Sequence, residues 1–190
     1  MPDNTALADW YYAYRSFFAV KERSPDVLVI GFQGGHLRDA PSHHPERLAR
    51  YYCRWADLPE LFTYDLPTFE SRANFGAAGA SALLCNRDRI ESRVLDLLIP
   101  GYRENIQELN RRVGSSLAAT SQAPPTFDRL RRLLEQARND GVQVVLAAIP
   151  VPQAYEIDAE LPQVAAEYGA VLVDCRNVPG ITADMFPDGL

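Results

Sequence analysis

Several signals that would announce a function are missing from this chain of 190 residues. Its cysteines, Cys53, Cys85 and Cys175, are widely spaced and form no C-x-x-C pair, which argues against a disulfide scaffold or a zinc ribbon. Buried, small apolar side chains are the expected role for them. No apolar run approaches the ~18 residues of a membrane-spanning helix. Basic residues do not dominate: 19 Lys and Arg stand against 25 Asp and Glu, for a net charge of −6. The arginines are spread over helix faces, so no basic footprint for nucleic acid is expected. Met1-Pro2-Asp3-Asn4 lacks the basic and apolar regions of a signal peptide, which leaves the compartment open, cytoplasmic by default and cell envelope if residues precede Met1. His43 and His44 are adjacent, His36 lies seven residues earlier, and no acidic cluster joins them. Adjacent side chains rarely converge on one ion, so no metal site is expected. Repeats and low-complexity tracts are absent as well.

What is present is an α/β pattern sized for one domain. Phe127, Leu130, Leu133, Leu134 and Ala137 recur at helical spacing, with Arg129, Arg131, Arg132, Glu135 and Arg138 between them. Pro124-Pro125 bars helix before this stretch, Thr126 can cap it, and Asn139-Asp140-Gly141 can end it. Val142 to Ile149 is almost continuously apolar and β-branched, which suits a strand covered on both faces in a parallel sheet. Pro150 ends it. Leu161 to Tyr168 reads as a second helix stopped by Gly169, and Ala170 to Asp174 as another strand.

Earlier in the chain, Leu7, Trp10, Tyr11, Tyr14, Phe17 and Phe18 form a helical stripe suited to packing on a sheet, with Asp3 to Thr5 available as caps. Ser24-Pro25 breaks it and Asp26 to Phe32 is the next strand. Residues 45–123 read as a helical insertion: Glu46 to Trp55, Thr68 to Leu84, Asp88 to Ile99 and Tyr102 to Val113 are helix candidates, separated at Leu58-Pro59, Leu66-Pro67 and Pro100-Gly101. Helix and strand alternating with tight turns indicate a parallel sheet flanked by helices, and ligands of such sheets sit outside the carboxyl ends of the strands.

The run from Phe127 through Pro150, followed by a strand and then by Phe186-Pro187-Asp188-Gly189-Leu190, resembles the C-terminal half of an SGNH (GDSL-type) hydrolase. The resemblance implies a three-layer, flavodoxin-like parallel sheet and ester chemistry through a Ser-His-Asp triad, with no cofactor. Asp188 matches the acid of the family's D-x-x-H motif, whose His would follow Leu190. Gly31-Phe32-Gln33 resembles the G-x-N block that donates a side-chain amide to the oxyanion. Gln33 replaces Asn there and reaches one methylene further. His36, near the same strand end, is a candidate for lining the site. Each has a plainer reading beside it: Gln33-Gly34-Gly35-His36 as an ordinary turn, and Pro187-Asp188-Gly189 likewise.

Two placements on the family are possible. In the first, Val27 to Gly31 is the opening strand, the nucleophile is lost, and Asn74-Phe75-Gly76-Ala77-Ala78-Gly79 is the N-x-G-x-x-G block. That placement needs strands before Asn74 and near Leu95 to Ile99. In the second, Val27 to Phe32 is the third strand, the nucleophile strand lies upstream of Met1, and the chain is a fragment, inactive by itself. The second placement is preferred. The functions implied are an SGNH-type esterase or O-acyltransferase acting on a small-molecule or carbohydrate ester, or a non-catalytic relative binding at the same strand ends. Nucleotide binding at Gly31 to Gly35 is a third reading, although neither G-x-G-x-x-G nor P-loop spacing is present.

Overall fold

A computed structural model of the chain describes residues 6–18, 25–40, 42, 45–66, 68–81, 87–102, 105, 126–151 and 154–178. The chain begins with helix α1 (Leu7–Phe17) and strand β1 (Val27–Phe32). A helical region follows with α2 (Leu58–Tyr64), α3 (Phe69–Ala80) and α4 (Arg87–Leu98). The chain then returns through α5 (Asp128–Asn139) to β2 (Gln143–Ala148), and through α6 (Leu161–Glu167) to β3 (Val171–Asp174). The three strands are parallel in the order β1-β2-β3, so the α/β class read from the alternating pattern holds.

Register places Ile30 beside Leu146 and Leu146 beside Leu172, with Phe32, Ala148 and Asp174 aligned at the carboxyl ends. Strand side chains alternate between faces, and the two faces differ sharply here. Ile30, Phe32, Val144, Leu146 and Ala148 join one core with Leu7, Tyr12 and Tyr14 of α1, Leu130, Leu133 and Leu134 of α5, and Leu161 and Val164 of α6. On the other face Val29 is 62% exposed and Val171 48% exposed. The apolar composition of β2 suggested cover on both faces. Among the described residues the helices cover one.

The amphipathic pattern of α5 was legible, but its capping was not. Thr126 makes no side-chain cap, and Phe127 occupies the cap position. Asp39, from the loop after β1, supplies the carboxylate instead, accepting the Asp128 N–H at 2.8 Å and the Arg129 N–H at 2.9 Å. At its other end the Arg129 side chain is 6% exposed and pairs with Asp65 at 2.8 Å. Its Nη1 donates to the Ala40 carbonyl, and Tyr12 donates its hydroxyl to Asp65 at 2.9 Å. Burial raises the Asp65 pKa, and the Arg129 charge works against that rise. One buried ionic cluster therefore ties α1, α5 and the end of α2 together.

The helical region departs from the expected boundaries. Glu46 to Trp55 is not one helix: a turn at Pro45–Arg47 widens into a π-helical turn at Leu48–Tyr52, and a 3₁₀ turn follows at Trp55–Asp57. The cause is local. Cys53 N–H bonds the Leu48 carbonyl across five residues, and Arg54 N–H turns to the Asp57 carboxylate at 2.9 Å. Leu58-Pro59, read as a break, opens α2, because proline in a first turn sacrifices no helical hydrogen bond. Thr68 does start its helix, exchanging bonds with Ser71. Of the stretch Tyr102 to Val113, residues 103–104 and 106–113 lie outside the described residues, as do the capping candidates Asp3 to Thr5.

Candidate functional site

Three loops leave the carboxyl ends of the strands and meet on one rim. The first follows β1. Gln33 is extended, with φ −134°, and its carbonyl accepts the His36 N–H at 3.1 Å to start the 3₁₀ turn Gly34–Leu37. Gly34 takes φ +48°, a left-handed conformation that glycine adopts without strain. At Gly35 a Cβ would lie 3.1 Å from Cδ of Arg38, whose side chain folds back over the turn. Gln33 is half-buried and His36 exposed on this turn. Gly31, two residues before Gln33, leaves room for Ile149: a Cβ there would meet Ile149 Cγ2 at 3.2 Å.

The second loop follows β2 and crosses the rim. Tyr155 directs its hydroxyl at two carbonyls, Ile149 at 2.7 Å and Phe32 at 3.2 Å, bridging the ends of β2 and β1. Three residues on, Asp158 receives Arg38 in a two-pronged ion pair, Nε to Oδ2 at 3.0 Å and Nη2 to Oδ1 at 2.5 Å. The third loop follows β3. Arg176 grips Asp174 with Nε at 2.9 Å and Nη2 at 2.7 Å, and its Nη1 donates to the Tyr155 carbonyl at 2.6 Å. Its guanidinium also lies 5.5 Å from the centre of the Tyr155 ring, a stacking that suits a planar cation. The chain segment 154–158 is thus strapped to the loops on either side of it.

The electrostatics of the rim are those of matched pairs. Hydrogen bonds from the Arg176 side chain and backbone hold the Asp174 carboxyl down at about 2. That group stays ionised at neutral pH. Burial raises the Tyr155 phenol, so it donates and does not ionise. Gln33 adds a neutral amide donor on the β1 side. The charges of Arg38, Asp158, Arg176 and Asp174 are thus spent on one another at the carboxyl ends of the strands, the end at which ligands of parallel sheets bind.

The expected site residues fare differently. Gln33, Gly31 and His36 stand on the rim or just behind it, at the same end of the sheet as Asp174 and Cys175. Asp188 lies outside the described residues, as do His43 and His44. Asn74 to Gly79 sits within α3, and Leu95 to Leu98 within α4, so the strands required by the first placement are helices. Cys53 and Cys175 are half-buried rather than core residues, while Cys85 lies outside the described set. Burial pushes the Cys53 thiol up to about 12. Among the described residues no group of three or more His, Cys, Asp or Glu side chains could hold a metal ion. No described helix is long and apolar enough to cross a membrane.

Sequence reasoning missed Tyr155, Asp158, Arg38 and Arg176. Arg176 carried a usable signal, since an arginine two residues after a strand-terminal aspartate can fold back onto it. The Arg38–Asp158 pair joins residues 120 positions apart and left no local trace. Comparison with family models, with curated proteins and with solved structures finds no match to this chain. The functional reading consequently rests on the residues themselves.

Proposed function

We propose that this chain is part of an SGNH-type hydrolase or O-acyltransferase domain that acts on esters at the carboxyl ends of its parallel strands. The observation that carries the reading is the convergence of the loops after β1, β2 and β3, with the Gln33 amide on a rim bounded by the Tyr155–Arg176–Asp174 cluster. The helical state of residues 69–80 and 87–98 favours the placement in which β1 is the third strand of the domain. On this reading further helices over the open face complete three layers, Gln33 contributes to the oxyanion site, and His36 lines it. Asp188 orients an imidazole that, like the attacking serine, lies outside these residues. The chemistry is acyl transfer: serine attacks the ester carbonyl, the imidazole takes the hydroxyl proton and returns it to the leaving alkoxide, and water or another hydroxyl resolves the acyl-enzyme.

A serine-reactive phosphonate tests this. The 190-residue chain is expected to remain unlabelled, while the protein extended in frame is expected to label at a Gly-x-Ser preceding α1. In the extended protein Asp188→Asn is expected to lower ester hydrolysis by about 10³- to 10⁴-fold, as loss of an orienting acid does. An extended protein that labels nowhere, or an Asp188→Asn variant with full activity, removes the proposal.

A further inference from the structure

At the opposite end of the strands from the rim, two helix-to-strand turns lie side by side. One joins α5 to β2 through Gly141, the other joins α6 to β3 through Gly169, and both glycines are left-handed, with φ +77° and +73°. A Cβ built on either meets nothing within 4 Å, so neither turn is closed over by neighbouring atoms. Between them is a cavity of about 330 Å³ whose floor is apolar, formed by Leu134, Val142, Val144 and Ala170. That volume is at the small end of ligand sites and suits a single ring with one substituent. The Gln143 side chain donates to the Gly169 carbonyl at 2.9 Å and fixes one lip against the other.

The charge at this cavity is the informative feature. Arg15, Arg38, Arg129, Arg131, Arg132 and Arg176 are each paired with a carboxylate. Arg138, on the cavity wall, differs from them. Among the described residues its guanidinium is laid 5.6 Å from the centre of the Tyr168 ring and meets no carboxylate. The lining amides of Gly141, Val142, Gly169 and Ala170 are all spent on the carbonyls of their own helices. The donors left to a ligand are therefore those of side chains, the Arg138 guanidinium and the Tyr168 hydroxyl, and only the first carries a charge. A guanidinium placed over an aromatic ring, beside an apolar floor, matches a carboxylate attached to a small hydrophobic group.

We infer that this cavity binds a small free organic acid, with the ring or short chain over Leu134, Val142 and Val144 and the carboxylate on Arg138. The site is separate from the strand-end rim and holds or fails independently of the ester chemistry proposed there. Benzoate and its neutral counterpart benzamide are the probes, titrated into the 190-residue chain and followed by two-dimensional amide NMR. Benzoate is expected to give saturable shifts centred on Gly141, Val142, Gly169 and Ala170, and to bind about tenfold more tightly than benzamide. Arg138→Gln, a change on an exposed helix position, is expected to keep the spectrum dispersed and abolish the tenfold preference. Absence of saturation by about 20 mM, equal binding of the two probes, shifts centred elsewhere, or a preference that survives Arg138→Gln would each overturn the assignment.

Discussion

Arg176 holds Tyr155 in two ways at once, donating to its backbone carbonyl at 2.6 Å while its guanidinium stacks 5.5 Å from the ring centre. The remaining donors of the same guanidinium grip Asp174. One side chain thereby organises the loops after β2 and β3, and its removal has consequences on both.

The first consequence is electrostatic. With the Asp174 carboxyl held at about 2 against an ordinary 3.8, the ionised form is favoured in the folded protein. The stabilisation this gives is fully present above the unfolded value and is lost as pH falls through the folded one. A carboxyl titration by NMR is expected to show Asp174 with a midpoint near 2 in the parent and a higher one in Arg176→Gln, still short of the ordinary 3.8 because the backbone N–H of residue 176 remains on the carboxylate.

Tyr155→Phe removes only a hydroxyl, leaving the Ile149 carbonyl to water while the Phe32 carbonyl keeps the Ile149 N–H at 3.0 Å. The expected loss is about 0.5–1.5 kcal/mol, the net worth of one hydrogen bond. Urea unfolding measures it, and amide exchange at Gln33 and Gly34 is expected to quicken as the bridge between the strand ends goes.

Asp39→Ala takes the cap from α5. Two helix-start amides, those of Asp128 and Arg129, lose their acceptor, and the expected cost is about 1–2 kcal/mol. Thr126→Ala, in contrast, is expected to change the urea midpoint little, because its side chain makes no cap.

Asp65→Asn strands the Arg129 charge in the core and is expected to cost about 3–5 kcal/mol. The double variant Asp65→Leu with Arg129→Met removes both charges and is expected to be more stable than the single one. Unfolding curves of the two variants, measured side by side, decide whether the buried charge or the lost contact dominates.

Cys53 is expected to react slowly with thiol reagents at pH 8 although it is partly exposed, since a thiol pushed up to about 12 supplies little thiolate there. Urea should abolish the protection. A thiol-labelling time course with and without denaturant is the measurement.

Where a regular period set the fold, the sequence was legible. The stripe of α5, the β-branched run of β2 and the glycines after α5 and α6 placed the parallel strands within a residue or two, because each signal acts over a few neighbours. Tyr12 shows the limit. It falls off the aromatic stripe read for α1, yet it is fully buried, because Asp65 from 53 residues away accepts its hydroxyl. The rim was legible only at Gln33, Gly31 and His36, which a strand end carries with it. Its ionic ties, Arg38 to Asp158 and Arg176 to Tyr155, join separate loops, and pairing across loops leaves no period to read. An apolar strand such as β2 looks the same whether one side or both are packed, and among the described residues the helices cover one side.

Asp39 gives the rim a mechanical character. It closes the loop that carries Gln33 and, with the same two oxygens, begins the helix that fills the core. A ligand that dragged this loop outward would have to fray the first turn of α5 as it did so. Small displacements near the strand ends should therefore be felt as stiffness from the interior, and occupancy there should raise the melting temperature of the whole molecule rather than quiet a single loop.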